Sequence, residues 1–213
     1  MSSSIKAVLK PHLRDVGNLT VRRVLPAMAA RLIGPFIFFD HMGPATLAPG
    51  VGLDVRPHPH IGLATVTYLF EGSIMHRDSL GSEQKIVPGD VNWMTAGRGI
   101  VHSERTDPLK KSRGGPMHGM QAWIALPDEA EETNPSFHHF GEDAQPAYDD
   151  KGLFARLVAG EAYGAKAAAP THSPLFYLHW ELAEGVRTAP PPGRSFRKSG
   201  DGYSERALYV PKG

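Results

Sequence analysis

The chain has 213 residues, a formal net charge of +1 and no cysteine. Near-neutral charge leaves no electrostatic footprint for nucleic acid or an anionic membrane. The missing cysteine excludes disulfides, thiolate metal sites and a cysteine nucleophile. With 41% hydrophobic residues, 23 glycines and 19 prolines, the composition favours a globular chain of many short strands and turns, one large domain or two small ones. No apolar run reaches about eighteen residues, and Met1-Ser2-Ser3-Ser4-Ile5-Lys6 has no signal-peptide pattern. The expectation is a cytoplasmic protein with no membrane span.

Strand-like runs follow one another along the first part. Phe36–Phe39 is short and apolar, between Gly34-Pro35 and Asp40. Ala64–Phe70 is rich in β-branched and aromatic residues and ends at Glu71-Gly72, and Ser73–Arg77 follows at once, so the two read as a hairpin. Lys85–Val87 leads to the turn Pro88-Gly89-Asp90, then to strands Val91–Met94, Ile100–Glu104 and Gln121–Leu126. The basic run Lys110-Lys111-Ser112-Arg113 reads as a solvated loop, and Asp128–Pro135 as an acidic linker. Phe154–Gly160 and Leu175–Leu182 are further strands, Ala162–Ala169 is a loop, and Pro190–Gly193 breaks the chain before a last strand, Arg206–Val210. That last strand resembles Tyr68–Gly72 entering its turn, but here only three residues follow, so the second unit is expected to be truncated. Short strands at close spacing argue for an all-β sandwich or barrel.

Two doublets carry the chemistry: His58-Pro59-His60 and His102-Ser103-Glu104. Side chains alternate faces along a strand, so each doublet points two ligand-type groups the same way. Adjacent strands would bring three imidazoles and a carboxylate to one point. That set suits a divalent first-row metal with open positions. Pro57 and Pro59 lack backbone donors, which places the first doublet at a strand edge or bulge, at the mouth of a barrel. The other histidines offer less. His138-His139 would face opposite ways, and His12, His172 and His179 have no nearby partner. His76 reads as a satisfied strand histidine. His41 could support the ligands or bond within its loop, and His118 could line the cavity. Gly97-Arg98-Gly99 lacks the lysine and following helix of a phosphate loop. Ser103 faces away from the proposed ligands and has no geometry for a nucleophile. Phe36, Phe38, Phe39, Trp93 and Trp123 are core residues, some of which could wall a flat apolar pocket.

Arg56–Gly62, Thr65–Gly72 and above all Pro88–Glu104 resemble the pirins, a family of the cupin superfamily, and Gly34–Pro44 and His118–Trp123 also match. The resemblance is strong from Val21 to Leu126 and looser beyond. It implies a cupin fold, a double-stranded β-helix or jelly-roll barrel, with a metal-binding N-terminal domain over 1–130 and a linker and incomplete C-terminal cupin over 131–213. It implies one divalent metal on His58, His60, His102 and Glu104, usually iron(II), with nickel, manganese, cobalt, copper or zinc also accepted by that ligand set. Where many pirins carry a glutamate this chain has Ala64, so the carboxylate must come from Glu104. The implied activity is quercetin 2,3-dioxygenase chemistry: a flavonol and O2 react, the ring opens and carbon monoxide leaves, with Glu104 as catalytic base. The alternative is a redox-sensitive regulator that acts through a protein partner without turnover.

Overall fold

The computed structural model describes residues 5–191 and 205–211. Strands β1 (His12–Val16), β2 (Leu19–Leu25), β3 (Phe36–Leu47), β4 (Asp54–His60), β5 (Leu63–Glu71), β6 (Ile74–Asp78), β7 (Glu83–Ile86), β8 (Val91–Thr95) and β9 (Ile100–Arg105) precede a short helix, α1 (Pro108–Arg113). Then come β10 (Gly115–Ala125), β11 (Ser136–Phe140), β12 (Ala147–Asp150), β13 (Leu153–Ala162), β14 (Ala165–Lys166) and β15 (Phe176–Leu182). One sheet has the order β1-β2-β3-β10-β5-β8-β11, a second β4-β9-β6-β7, and a third is built on β13, which pairs with β12, β14 and β15. The all-β cupin expectation holds, and the strand pairings among the described residues are antiparallel.

The central strands β5 and β8 of the seven-stranded sheet are buried on both faces. Along β5, Ala64, Val66 and Tyr68 join Val91, Trp93, Ala122 and Ile124 in a cluster that packs on Val158, Ala159 and Leu175 of the third sheet's side. Leu69 belongs instead to a cluster with Ile74 and Ile86 of the second sheet. The period-two alternation of β5 therefore serves two cores. This explains why its residues are buried without a break from Ala64 to Leu69.

Several expectations are corrected. Ala64–Phe70 and Ser73–Arg77 do not form a hairpin, because β5 pairs with β10 and β8 whereas β6 pairs with β9 and β7. The Gly72 turn carries the chain from one sheet to the other. Gly72 has φ +88°, and a Cβ there would lie 2.5 Å from the carbonyl oxygen of Pro116. The turn is tight enough to redirect the strand, not to fold it back. Lys110–Arg113 is not loop but lies in α1. Asp107 caps this helix by accepting from Leu109 N and Lys110 N, Pro108 enters its first turn, and Gly114 ends it. The acidic segment after Leu126 is packed, not a free linker: Ala130 is buried in the core cluster and the Thr133 carbonyl accepts from Arg98 N.

The sheet also continues past residue 130, since Ser136–Phe140 pairs with β8. Within the expected Ala162–Ala169 loop, Ala165-Lys166 forms a short bridge to β13. Arg206–Val210 is not a strand. It runs against β3 instead, where Tyr209 meets Phe39 edge-on and Glu205 accepts from Gly34 N. Pro192, Gly193, Lys212 and Gly213 lie outside the described residues.

Gly72→Ala should destabilise the fold by on the order of 1–3 kcal/mol from backbone strain, with the Pro116 clash added. A urea melt equal to that of the unaltered chain would show that the crossover tolerates a side chain.

Candidate metal centre

The site begins with a pairing irregularity. On the β4–β9 ladder, Val55 faces Glu104 and His58 faces His102, with a register shift between them. Two residues of β4, Arg56 and Pro57, oppose Ser103 alone, which is a β-bulge. Both bulge residues are exposed, and Pro57 has no N–H to leave unpaired. The bulge resets the alternation, so Val55, His58 and His60 all face inward although Val55 and His58 are three positions apart. Without the extra residue, the histidines would turn to solvent.

His58, His60 and His102 present ring nitrogens that all lie within 4.8 Å of one another. His60 Nε2 is 3.1 Å from His102 Nε2. His58 Nδ1 donates to the Arg56 carbonyl at 2.8 Å, leaving Nε2 as the lone pair. His60 and His102 are buried and His58 is half-buried, so the centre is reached past His58. Burial, with neighbouring imidazole charge added, pushes His60 down to about 4 and His102 down to about 2. Both rings are neutral at ordinary pH, the form that binds metal.

Glu104 is also buried, and burial raises its carboxyl pKa against the opposing effects of Thr67, His76 and His58. Thr67 Oγ1 lies 3.0 Å from Glu104 Oε1 and 2.7 Å from Gln121 Oε1. One hydroxyl proton cannot serve two oxygens. An ionised Glu104 takes it, and the Gln121 amide then turns its NH2 toward Thr67. Glu104 stands beside the imidazole trio without being one of the three converging groups.

The donor set fits a divalent ion. Burial keeps His60 and His102 uncharged, so their ring nitrogens converge without mutual repulsion. Three imidazoles with an adjacent carboxylate suit first-row metals.

The aromatics divide between two faces. Trp123 meets His60 edge-on at 5.0 Å, and Phe38 stacks on Trp123 at 4.0 Å. These two form an apolar wall beside the centre. Phe36 and Phe39 pack on Tyr177, and Trp93 belongs to the core cluster behind the sheet. His41 and His118 bond to each other at 2.9 Å between their Nε2 atoms, and His41 Nδ1 lies 2.8 Å from the Tyr209 hydroxyl. His118 rests on Phe70, so this pair is a separate group from the trio. His179 pairs with the Tyr68 hydroxyl. A cleft of about 670 Å³ is lined by Tyr68, Phe70, Arg156 and His179, and none of the trio reaches it.

Two side chains that sequence reasoning passed over do touch the site. Thr67 holds Glu104, and His76 lies 3.4 Å from His102, Nδ1 to Nδ1. For Thr67 the available signal was its inward phase on β5. For His76 there was none, because its contact requires β6 to leave β5 and pair with β9.

The family model for pirin matches residues 18–124. A pirin-like protein of Caulobacter vibrioides is 56% identical over 212 residues, covering 98% of this chain and 70% of that protein. Human pirin is 34% identical over 195 residues, covering 90% of this chain and 64% of its own length. The crystal structure of a quercetin 2,3-dioxygenase from Acinetobacter baumannii superposes with a TM-score of 0.76 at 40% identity, over 81% of this chain and 56% of that one. The chain thus spans roughly half to 70% of the length of these relatives.

His58→Ala and His102→Ala should each abolish stoichiometric metal, read by elemental analysis after dialysis; full occupancy in either would remove that ring from the ligand set. The metal-free fold should also be acid-sensitive. Burial first of all lowers the pKa of His41, His60, His102 and His179 in the folded state. Below the unfolded histidine value of about 6.5, the unfolded chain binds more protons than the folded one, so stability falls as pH drops from about 6.5 toward 4. Glu104, raised by burial, works the other way, one group against four. A melting temperature that stays flat across this window would contradict the sign.

Proposed function

Because the chain belongs to the pirin family, we propose that it is a metal-dependent dioxygenase of flavonols such as quercetin. In this reading His58, His60, His102 and Glu104 hold one divalent ion, iron(II), and residues from 131 onward start a second barrel of the same kind. The observation that carries the reading is the meeting of three ring nitrogens within 4.8 Å beside a buried carboxylate whose pKa is raised. A metal held there supplies Lewis acidity toward a substrate oxygen and electron exchange with O2.

The chain's own residues do the rest. Trp123, stacked on Phe38 and edge-on to His60, gives the centre an apolar wall suited to a planar aromatic ring system, with the Arg23 guanidinium over the Phe38 ring. The half-buried side of His58 leaves an approach for the substrate's 3-hydroxyl. Glu104 takes the hydroxyl proton from its buried position beside the imidazoles. Thr67 holds the carboxylate in place while it does so. The buried surroundings of His60, His102 and Glu104 keep bulk water from the reacting oxygen. In the net reaction, flavonol and O2 yield a ring-opened depside and carbon monoxide. The likeness to the Acinetobacter quercetin 2,3-dioxygenase, at 40% identity, supports the assignment.

Aerobic loss of the quercetin absorbance band, read on the iron-loaded full chain, tests the proposal. Glu104→Gln should lower turnover by about 10²–10⁴-fold while three imidazoles retain most of the metal. Unchanged turnover would remove Glu104 as the base. A chain that saturates with iron yet consumes none of a flavonol panel is the metal-bound regulator instead.

A further inference from the structure

His102 has two ring nitrogens with different tasks. Nε2 faces His60 at 3.1 Å. Nδ1 lies 3.4 Å from His76 Nδ1, and the other nitrogen of that ring, Nε2, lies 2.9 Å from Asp78 Oδ2. All three groups are enclosed: His102 is 2% exposed, and the side chains of His76 and Asp78 are 4% and 0% exposed. Phe137 stacks on His76 at 4.1 Å with the rings 12° from parallel, which holds its plane. Strand pairing brings the three together, since Asp78 faces His102 and His76 faces Glu104 on the β6–β9 ladder.

We propose that Asp78 and His76 form a relay that sets the tautomer of His102, making them positioning residues for the metal centre. The Asp78 carboxylate takes backbone N–H groups of Leu80 and Ser82 on Oδ1 and faces His76 with Oδ2. An ionised carboxylate only accepts, so His76 must donate from Nε2. A neutral His76 with its proton on Nε2 carries a lone pair on Nδ1. That lone pair accepts the proton of His102 Nδ1, and His102 Nε2 is left as a lone pair facing His60. The relay thus does for His102 what the Arg56 carbonyl does for His58. It rests on the reading of His102 as a ligand, but it makes a claim about the metal-free ring as well.

Asp78→Asn separates this from a plain structural role. The substituted amide keeps an oxygen for the Leu80 and Ser82 N–H groups but turns its NH2 toward His76. His76 then accepts on Nε2 and donates from Nδ1, which forces the proton of His102 onto Nε2. Nitrogen-15 NMR of the metal-free protein should show His102 protonated on Nδ1 in the unaltered chain and on Nε2 in Asp78→Asn. Zinc(II) affinity should fall about 10–100-fold in that variant. His76→Gln with Asp78 intact keeps the polarity of the relay: the glutamine NH2 donates to the Asp78 carboxylate and the glutamine oxygen accepts from His102 Nδ1, so affinity should stay within a few-fold of the unaltered chain.

An unchanged His102 tautomer in Asp78→Asn, or a His76→Gln variant as weak as Asp78→Asn, overturns the relay. If Asp78→Asn does not fold, His76→Leu against His76→Gln gives the same contrast: leucine should weaken zinc and glutamine should not, and equal affinities overturn the relay. Failure of the unaltered chain to bind zinc would overturn the metal reading instead, while the tautomer measurement still decides the relay.

Discussion

The centre depends on the bulge at Arg56 and Pro57 in the β4–β9 ladder. A strand has only two faces, and a shift of one residue exchanges them. Val55 packs toward the core cluster shared by the first two sheets. Strict alternation from Val55 would send His58 and His60 outward and bring Pro57 and Pro59 in. The extra residue corrects the phase for the two histidines while Val55 keeps its packing. Its location next to the histidine cluster follows the common placement of bulges, where pairing is loosened to aim a side chain.

Around that point, the second sheet supplies the three imidazoles and the carboxylate, and the first supplies their surroundings. His58 and His60 lie on β4 and His102 and Glu104 on β9, directly paired. Thr67 and Gln121, from β5 and β10 of the first sheet, reach Glu104 through one hydroxyl. Packing the sheets together buries the whole group. Burial has opposite effects on its members, lowering the imidazole pKa values and raising that of the carboxyl. Both shifts follow from the same cost of holding charge away from water. The result is neutral donors and one basic oxygen side by side. Such a cluster is costly unless its polar atoms are satisfied, and an Arg56 carbonyl, a threonine and a histidine–aspartate pair satisfy it from outside.

The two faces of the first sheet keep this chemistry apart from the rest of the molecule. On β5, Thr67 turns toward Glu104, while Tyr68 and Phe70 turn to the third sheet and meet His179. The His41–His118 pair belongs with that outer group and is tied to Tyr209 of the C-terminal segment. A chain with eleven histidines can therefore hold several clusters, and among the described residues one of them brings three ring nitrogens together.

Much of this was legible in the chain itself. The all-β class followed from short apolar runs set between glycines and prolines, because those residues stop helices and shape turns. The two doublets were legible because a two-residue period is a local property, and the Pro88–Glu104 stretch marked the family. Helix α1 was also written there, in Asp107, Pro108 and Gly114, beneath a basic run that drew attention away from the cap. What only the tertiary structure decided is which strands meet. Nothing local says that β6 leaves β5 at Gly72 to pair with β9, or that Ser136–Phe140 returns to β8. Those pairings join residues far apart in sequence, and their stability comes from burying a face that exists only after the sheets have closed. His76, Asp78 and Thr67 enter the site by that route. The sequence determined which groups could bind a metal; the folded sheets decided which other side chains stand behind them.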